Sequence, residues 1–169
     1  MFDCHLQFGI LSYGCAQKSM LKRIEMLQKK SVRLVANAAY RAHTEPIFNK
    51  LGILKFDDLY KYSIVCFMHQ YATNRLPISF NGMFTLLRET QQTQVRDSFY
   101  HYLVSIPIRK SLSHFPRVLF IPIWNALSSQ YQSSLSHKVF KKESKNMFLE
   151  NYSAFENCDN LQCIECSSS

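Results

Sequence analysis

The sequence predicts a mainly α-helical protein, with at most a minor two-stranded β-ribbon and a disordered C-terminal tail. Three observations carry that expectation. The 169 residues include thirteen Phe and nine Tyr but only four Gly, a composition that favours packed helices over a turn-rich sandwich. Apolar residues recur at helical spacing in two stretches, 21–38 and 136–151. A third stretch, 57–72, is apolar on nearly every side. A hydrophobic content of 47% is enough for one core plus a short tail, so residues 1–152 read as a basic helical domain and 153–169 as an acidic, cysteine-containing tail.

The stretch from Leu21 to Ala38 gives the clearest helical pattern. Met20, Leu21, Ile24, Leu27, Ser31, Leu34, Val35 and Ala38 share one arc, and Lys18, Lys22, Lys29 and Arg33 share another, with Lys30 beside them. Glu25 stands four residues before Lys29, the favourable order for a helical ion pair. Thr44, Glu45 and Pro46 signal a helix start, with the Thr44 hydroxyl as cap, and Gly52 ends that short helix after about Leu51. Asp57 and Asp58 open a long helix to about Ala72, whose apolar residues on several faces mark it as the centre of the core.

Between Asn74 and Arg117 the periodicity fails. Ile78–Phe80 and Met83–Phe84 read as docking anchors, and 89–97 as a polar loop. Segments 102–106 and 118–123 read as short extended strands that could pair as a ribbon. Arg109, Lys110 and Arg117 form a second cationic cluster, and the lone Trp124 reads as a core plug. A last helix runs from a cap at Ser136 to Asn151, with Lys138, Lys141, Lys142 and Lys145 in one sector and Val139, Phe140 and Met147 opposite.

Charge bounds the function. All twenty Lys and Arg and eight of the twelve acids precede Glu150, so residues 1–149 carry +12 and the remainder −4. A domain so basic attracts polyanions, above all nucleic acid. Two helices with one-sided lysine faces predict a shared groove for a phosphate backbone. The candidate contacts are Lys18, Lys22, Lys29, Lys30, Arg33, Arg109, Lys110, Lys138, Lys141, Lys142 and Lys145.

Other chemistry finds little support in the residues. Cys158, Cys163 and Cys166 form an incomplete zinc motif whose nearest fourth ligand is His137. Cys4, Cys15 and Cys66 sit in apolar patterns and read as packing. The histidines are scattered singly, so no catalytic residue and no cofactor is predicted. The N-terminus lacks the cationic start of a secretory signal, and no apolar run approaches the ~20 residues of a membrane span. An intracellular location, nuclear or cytoplasmic, is therefore expected, with no membrane partner and with reduced thiols.

Several motifs recur in a fixed order: Leu11-Ser12-Tyr13-Gly14, Leu27-Gln28-Lys29-Lys30, His43 to Phe48, Leu51-Gly52-Ile53-Leu54, Leu76 to Phe80, and Trp124-Asn125-Ala126-Leu127. Over about 10–152 this order resembles the region C-terminal to the polymerase core in reverse transcriptases of non-LTR, LINE-like retrotransposons of the jockey, CR1 and RTE kind. Cys15-Ala16-Gln17 stands where the family usually has Trp, and Ser128 where it usually has Pro. The resemblance implies the thumb and the helical segment after it, which grip template RNA and primer DNA, without the palm or endonuclease. Phe56-Asp57-Asp58 is not the palm's metal box, because adjacent aspartates at a helix start do not converge on two metals. The expected activity is thus phosphate binding without catalysis; the alternatives are a helical module that binds itself or an intact reverse transcriptase, and a non-functional transposon remnant.

Overall fold

The computed structural model describes residues 2–86, 101–103, 116–132 and 136–152. In chain order the elements are α1 (Phe2–Gln7), α2 (Ile10–Tyr13), α3 (Lys18–Val35), α4 (Glu45–Leu51), α5 (Phe56–Ala72), a 3-10 turn (Ile78–Phe80), α6 (Pro116–Asn125), α7 (Ser129–Gln132) and α8 (His137–Glu150). The protein is mainly helical, as its composition implies. Among the described residues, β structure is confined to an isolated antiparallel bridge between Leu86 and Tyr102. The predicted ribbon is therefore corrected: residues 118–123 belong to α6, which opens on Pro116 and buries Phe120 and Ile121, and Tyr102 pairs with Leu86 instead. Residues 104–106, the polar segment 89–97 and the tail 153–169 lie outside the described residues. The chain divides into two compact units, Met1–Tyr60 with Lys145–Ser169, and Lys61–Ser144.

In the first unit, α3 turns Leu21, Gln28 and Val32 inward. The Gln28 amide Nε2 donates to the Leu54 carbonyl at 2.8 Å, which satisfies two polar groups that burial would otherwise strand. Thr44 precedes α4 as expected, but its side chain makes no capping bond; it is buried, and only its carbonyl takes part, accepting the Phe48 N–H at 2.9 Å. Gly52 closes α4 in the left-handed region at φ 61°, with its N–H on the Asn49 carbonyl and the Ile53 N–H on the Phe48 carbonyl. Asp57 and Asp58 occupy the first turn of α5, where acids complement the helix dipole. The Tyr152 hydroxyl accepts the Lys55 N–H at 3.0 Å and donates to Asp58. Burial, aided by the Asp58 contact, pushes the Tyr152 phenol up from its ordinary range.

Leu11-Ser12-Tyr13-Gly14 acquires a steric reason in the same unit. The Tyr13 ring stacks on Phe56 at 6.0 Å, and its hydroxyl donates to the Leu6 carbonyl. Gly14 lies under the Tyr60 ring: a Cβ there would stand 2.2 Å from Tyr60 Cδ2 and 2.6 Å from Cε2. The Tyr60 hydroxyl is buried, and burial, with Cys15 adding to it, pushes that phenol up to about 12.

In the second unit, α5 buries Ile64, Val65, Cys66, Met68 and His69, adjacent positions that together span more than one face of the helix. Trp124 is fully buried, as a core plug should be, and its carbonyl accepts the Gln132 amide at 2.8 Å. Asn125 clamps the Tyr102 backbone from both sides, accepting its N–H at 3.1 Å and donating to its carbonyl at 2.9 Å. Phe67 meets Phe80 and Phe120 edge-on, each at 5.7 Å, and Tyr71, Phe84 and Tyr102 form a second edge-on cluster. Phe80 and Phe84 thus dock as anchors, whereas Ile78 is exposed.

Gly14→Ala is expected to cost about 1–3 kcal/mol in urea denaturation, because the added methyl must displace an aromatic ring in a packed site. The cost should shrink in a Tyr60→Leu background; an equal cost in both backgrounds separates the two residues and contradicts the packing argument.

Candidate nucleic-acid interface

The rotational setting of α3 decides which of its side chains meet solvent. Hydropathy alone points the arc through Met20, Ile24, Leu27 and Leu34 inward, but Met20 is 65% exposed, Leu27 55%, Leu34 83% and Val35 69%. The buried positions, Leu21, Gln28 and Val32, are centred about 80° around the helix from the centre of the expected arc, of which Leu21 is the edge, at about 100° per residue. Gln28 explains the shift, since its amide has to face inward to reach the Leu54 carbonyl. Solvent therefore meets an apolar flank through residues 20, 27, 34 and 35, and beside it a cationic flank.

On that cationic flank Lys18, Lys22 and Lys30 are exposed, together with Arg23, which the sequence pattern did not single out, while Lys29 and Arg33 are half-buried. The favourable Glu25–Lys29 spacing forms no ion pair among the described residues. Lys29 instead adds its charge to the surroundings of Glu45, whose carboxylate takes a 2.9 Å ion pair from Lys55. Burial alone would raise the Glu45 carboxyl; the Lys55 bond and charge, with the Lys29 charge, outweigh it and hold the group below the usual carboxylate range.

After Val35 the chain folds back. Asn37 adopts the left-handed region at φ 50°, and the Ala38 N–H bonds to the Arg33 carbonyl at 2.9 Å, the closure of a Schellman-type C-terminus. The Ala42 N–H then bonds to the Ala39 carbonyl at 2.9 Å, and Arg33 Nε donates to the Ala42 carbonyl at 2.8 Å. Arg33 is thereby a positioning residue for the turn that carries Tyr40 and Arg41. The result is a pocket of about 340 Å³ lined by Met26, Lys29, Lys30, Arg33, Tyr40 and Arg41. Three predicted contact residues, Lys29, Lys30 and Arg33, thus converge, joined by two residues that carried no periodic signal.

On α8, Lys138, Lys141 and Lys142 are exposed and Lys145 is half-buried. The inward positions are Phe140, Ser144 and Phe148, whereas Val139, expected inside, is exposed. Arg109 and Lys110 lie outside the described residues, and Arg117 is the second residue of α6.

Two of the histidines, single in the sequence, meet in the fold as packing residues. His69 and His137, 68 positions apart, are partners: their Nδ1 atoms lie 3.2 Å apart, and His137 Nε2 lies 3.0 Å from the Gln70 amide nitrogen. With that amide as donor, His137 Nε2 accepts, so its proton sits on Nδ1 and is donated to His69 Nδ1. His69 is fully buried and stacks on Phe140 at 4.0 Å. Burial first, then the charges of Lys141, His69 and Arg75, lowers the His137 pKa. A neutral imidazole is what this network needs. Cys158, Cys163 and Cys166, for which His137 was the candidate fourth zinc ligand, lie outside the described residues, and among those residues no three His, Cys, Asp or Glu groups converge on a metal position. Cys66 is buried, and burial pushes its thiol up, but Cys4 is exposed and so is not a packing residue.

Because the folded pKa of His137 is depressed, the unfolded chain binds the extra proton more readily. Stability should be complete above about pH 6.5, the ordinary histidine value, and decline as pH falls through and below it. Urea denaturation of the chain and of His137→Asn across that range checks this; an undiminished acid-side decline in the variant assigns it to other groups.

No family model matches this chain, and neither a curated protein nor a solved structure matches it. No helix among the described residues is long and apolar enough to cross a membrane.

Proposed function

We propose that this chain is a non-catalytic, C-terminal-type fragment of a non-LTR retrotransposon reverse transcriptase, and that it holds RNA or DNA by the sugar–phosphate backbone without reading bases. The observation that carries the binding half is the set of exposed cations on α3 and α8: Lys18, Lys22, Arg23 and Lys30, and Lys138, Lys141 and Lys142, none in an ion pair among the described residues. A lysine face serving only solubility is commonly interleaved with acids, whereas cations left unpaired keep their full attraction for phosphate. Support for the origin is the ordered run of motifs from Leu11 to Leu127. No catalytic step is assigned, and no cofactor.

Binding to a labelled oligonucleotide should weaken with salt. Neutralising about four phosphates gives a slope of log affinity against log salt near −3 to −4, and Lys22→Glu with Lys30→Glu should flatten it. A flat response in the unmodified chain removes the reading.

The apolar flank of α3 favours a second reading, a helical module that binds another copy or an intact reverse transcriptase. Met20, Leu27 and Leu34 recur every seven residues, the heptad interval of a helix-pairing seam, and are exposed. Light scattering discriminates: self-association that ignores salt and disappears in Leu34→Glu supports this module, and monomers that shift only with added oligonucleotide support the phosphate reading.

A further inference from the structure

The pocket at the C-terminal end of α3 has a composition that a backbone clamp alone does not require. Its lining carries four cations, Lys29, Lys30, Arg33 and Arg41, and no carboxylate, yet Tyr40 and Met26 line it too. Tyr40 is 79% exposed, and its ring meets no other aromatic ring among the described residues. An exposed aromatic ring standing beside cations offers a flat face for stacking next to a place for an anion. The turn that presents it is built: the left-handed Asn37, the Ala38 bond to Arg33 and the Arg33 Nε bond to the Ala42 carbonyl together fix Tyr40 and Arg41 beside Lys29 and Lys30.

We propose that Lys29, Lys30, Arg41 and Tyr40 form a seat for one nucleotide of a single strand, its phosphate among the cations and its base stacked on Tyr40. The proposal rests on the nucleic-acid reading above and names the strand state that reading leaves open. The volume of about 340 Å³ falls at the low end of ligand pockets, which run to roughly 300–1,000 Å³, and suits one nucleotide better than a longer run. The carboxylates of an acidic peptide would satisfy the cations but would not themselves cover an aromatic face. A base gains from both, because every base has a π-face to stack. In a duplex those faces are covered by neighbouring pairs, so the seat selects an unpaired nucleotide. Arg33 acts by holding the turn, its Nε already committed to the Ala42 carbonyl.

The full chain is tested by fluorescence anisotropy with a labelled oligo-dT strand and with a blunt duplex. Tyr40→Ala should lower single-strand affinity about 5- to 150-fold, leave duplex affinity and the salt slope unchanged, and be rescued by Tyr40→Phe. Arg41→Gln should reduce the salt slope on the single strand by about one contact. Because Tyr40 is exposed, its variants should melt with the parent chain, which circular dichroism checks. Undiminished single-strand binding by Tyr40→Ala overturns the seat and leaves the phosphate reading standing. An equal loss on duplex overturns it too, as does displacement of the strand by polyglutamate as readily as by unlabelled oligonucleotide. If the unmodified chain binds neither strand nor duplex in a salt-dependent way, the phosphate reading fails and takes the seat with it.

Discussion

The buried Gln28 amide ties the facing of α3 to the interior of its unit. A glutamine in the middle of an amphipathic helix is costly to bury without a partner, so once its Nε2 meets the Leu54 carbonyl the helix has only one acceptable rotation. That rotation puts Leu21 and Val32 inside, leaves Leu27 and Leu34 outside, and aims Lys29, Lys30 and Arg33 toward the turn at Tyr40. The geometry of the cationic pocket is a consequence of one interior hydrogen bond on the opposite side of the helix.

Much of the local structure was legible in the sequence because its signals are short-range. The bounds of α4 follow from Thr44-Glu45-Pro46 and Gly52, and those of α5 from Asp57-Asp58 and the end of the apolar run, within a residue or so. Hydropathy periodicity located α3 and α8 but misjudged the facing of α3, because periodicity weighs a glutamine as polar and is blind to an acceptor 26 positions away. The same blindness hid the His69–His137 pair, whose partners are 68 positions apart. Residues 118–123 looked extended because Val118, Phe120 and Ile121 favour strands; a proline start and burial of Phe120, Ile121 and Trp124 made them helical instead. Of the candidate site, the cations were readable from charge alone, but Tyr40 and Arg41 were not, since they follow a helix terminus and belong to no periodic pattern.

The electrostatics divide along the same lines. Where a charge is half-buried and paired, as in Lys55–Glu45, partnership outweighs burial and the pair serves local order. The exposed lysines of α3 and α8 cost little in the folded state, and their mutual repulsion is screened within roughly 8–10 Å at ordinary salt. An anionic polymer would relieve that repulsion as well as gain from attraction, which is the physical basis of the proposed salt-dependent association.

Several residues of the motifs that carry the resemblance prove to be packing devices. Gly14 makes room for Tyr60, Gln28 of Leu27-Gln28-Lys29-Lys30 reaches the backbone of Leu51-Gly52-Ile53-Leu54, Gly52 turns the chain out of α4, and Trp124-Asn125 plugs one unit and clamps Tyr102. Each constrains where the backbone can go, and none touches a prospective ligand directly. A likeness built from such residues therefore speaks first about fold, and function has to be argued from the side chains the packing leaves outside. Here those are lysines and arginines at the rim of a built pocket, with one exposed tyrosine among them, and it is their chemistry that the proposed ligand, a phosphate with a flat base, would match.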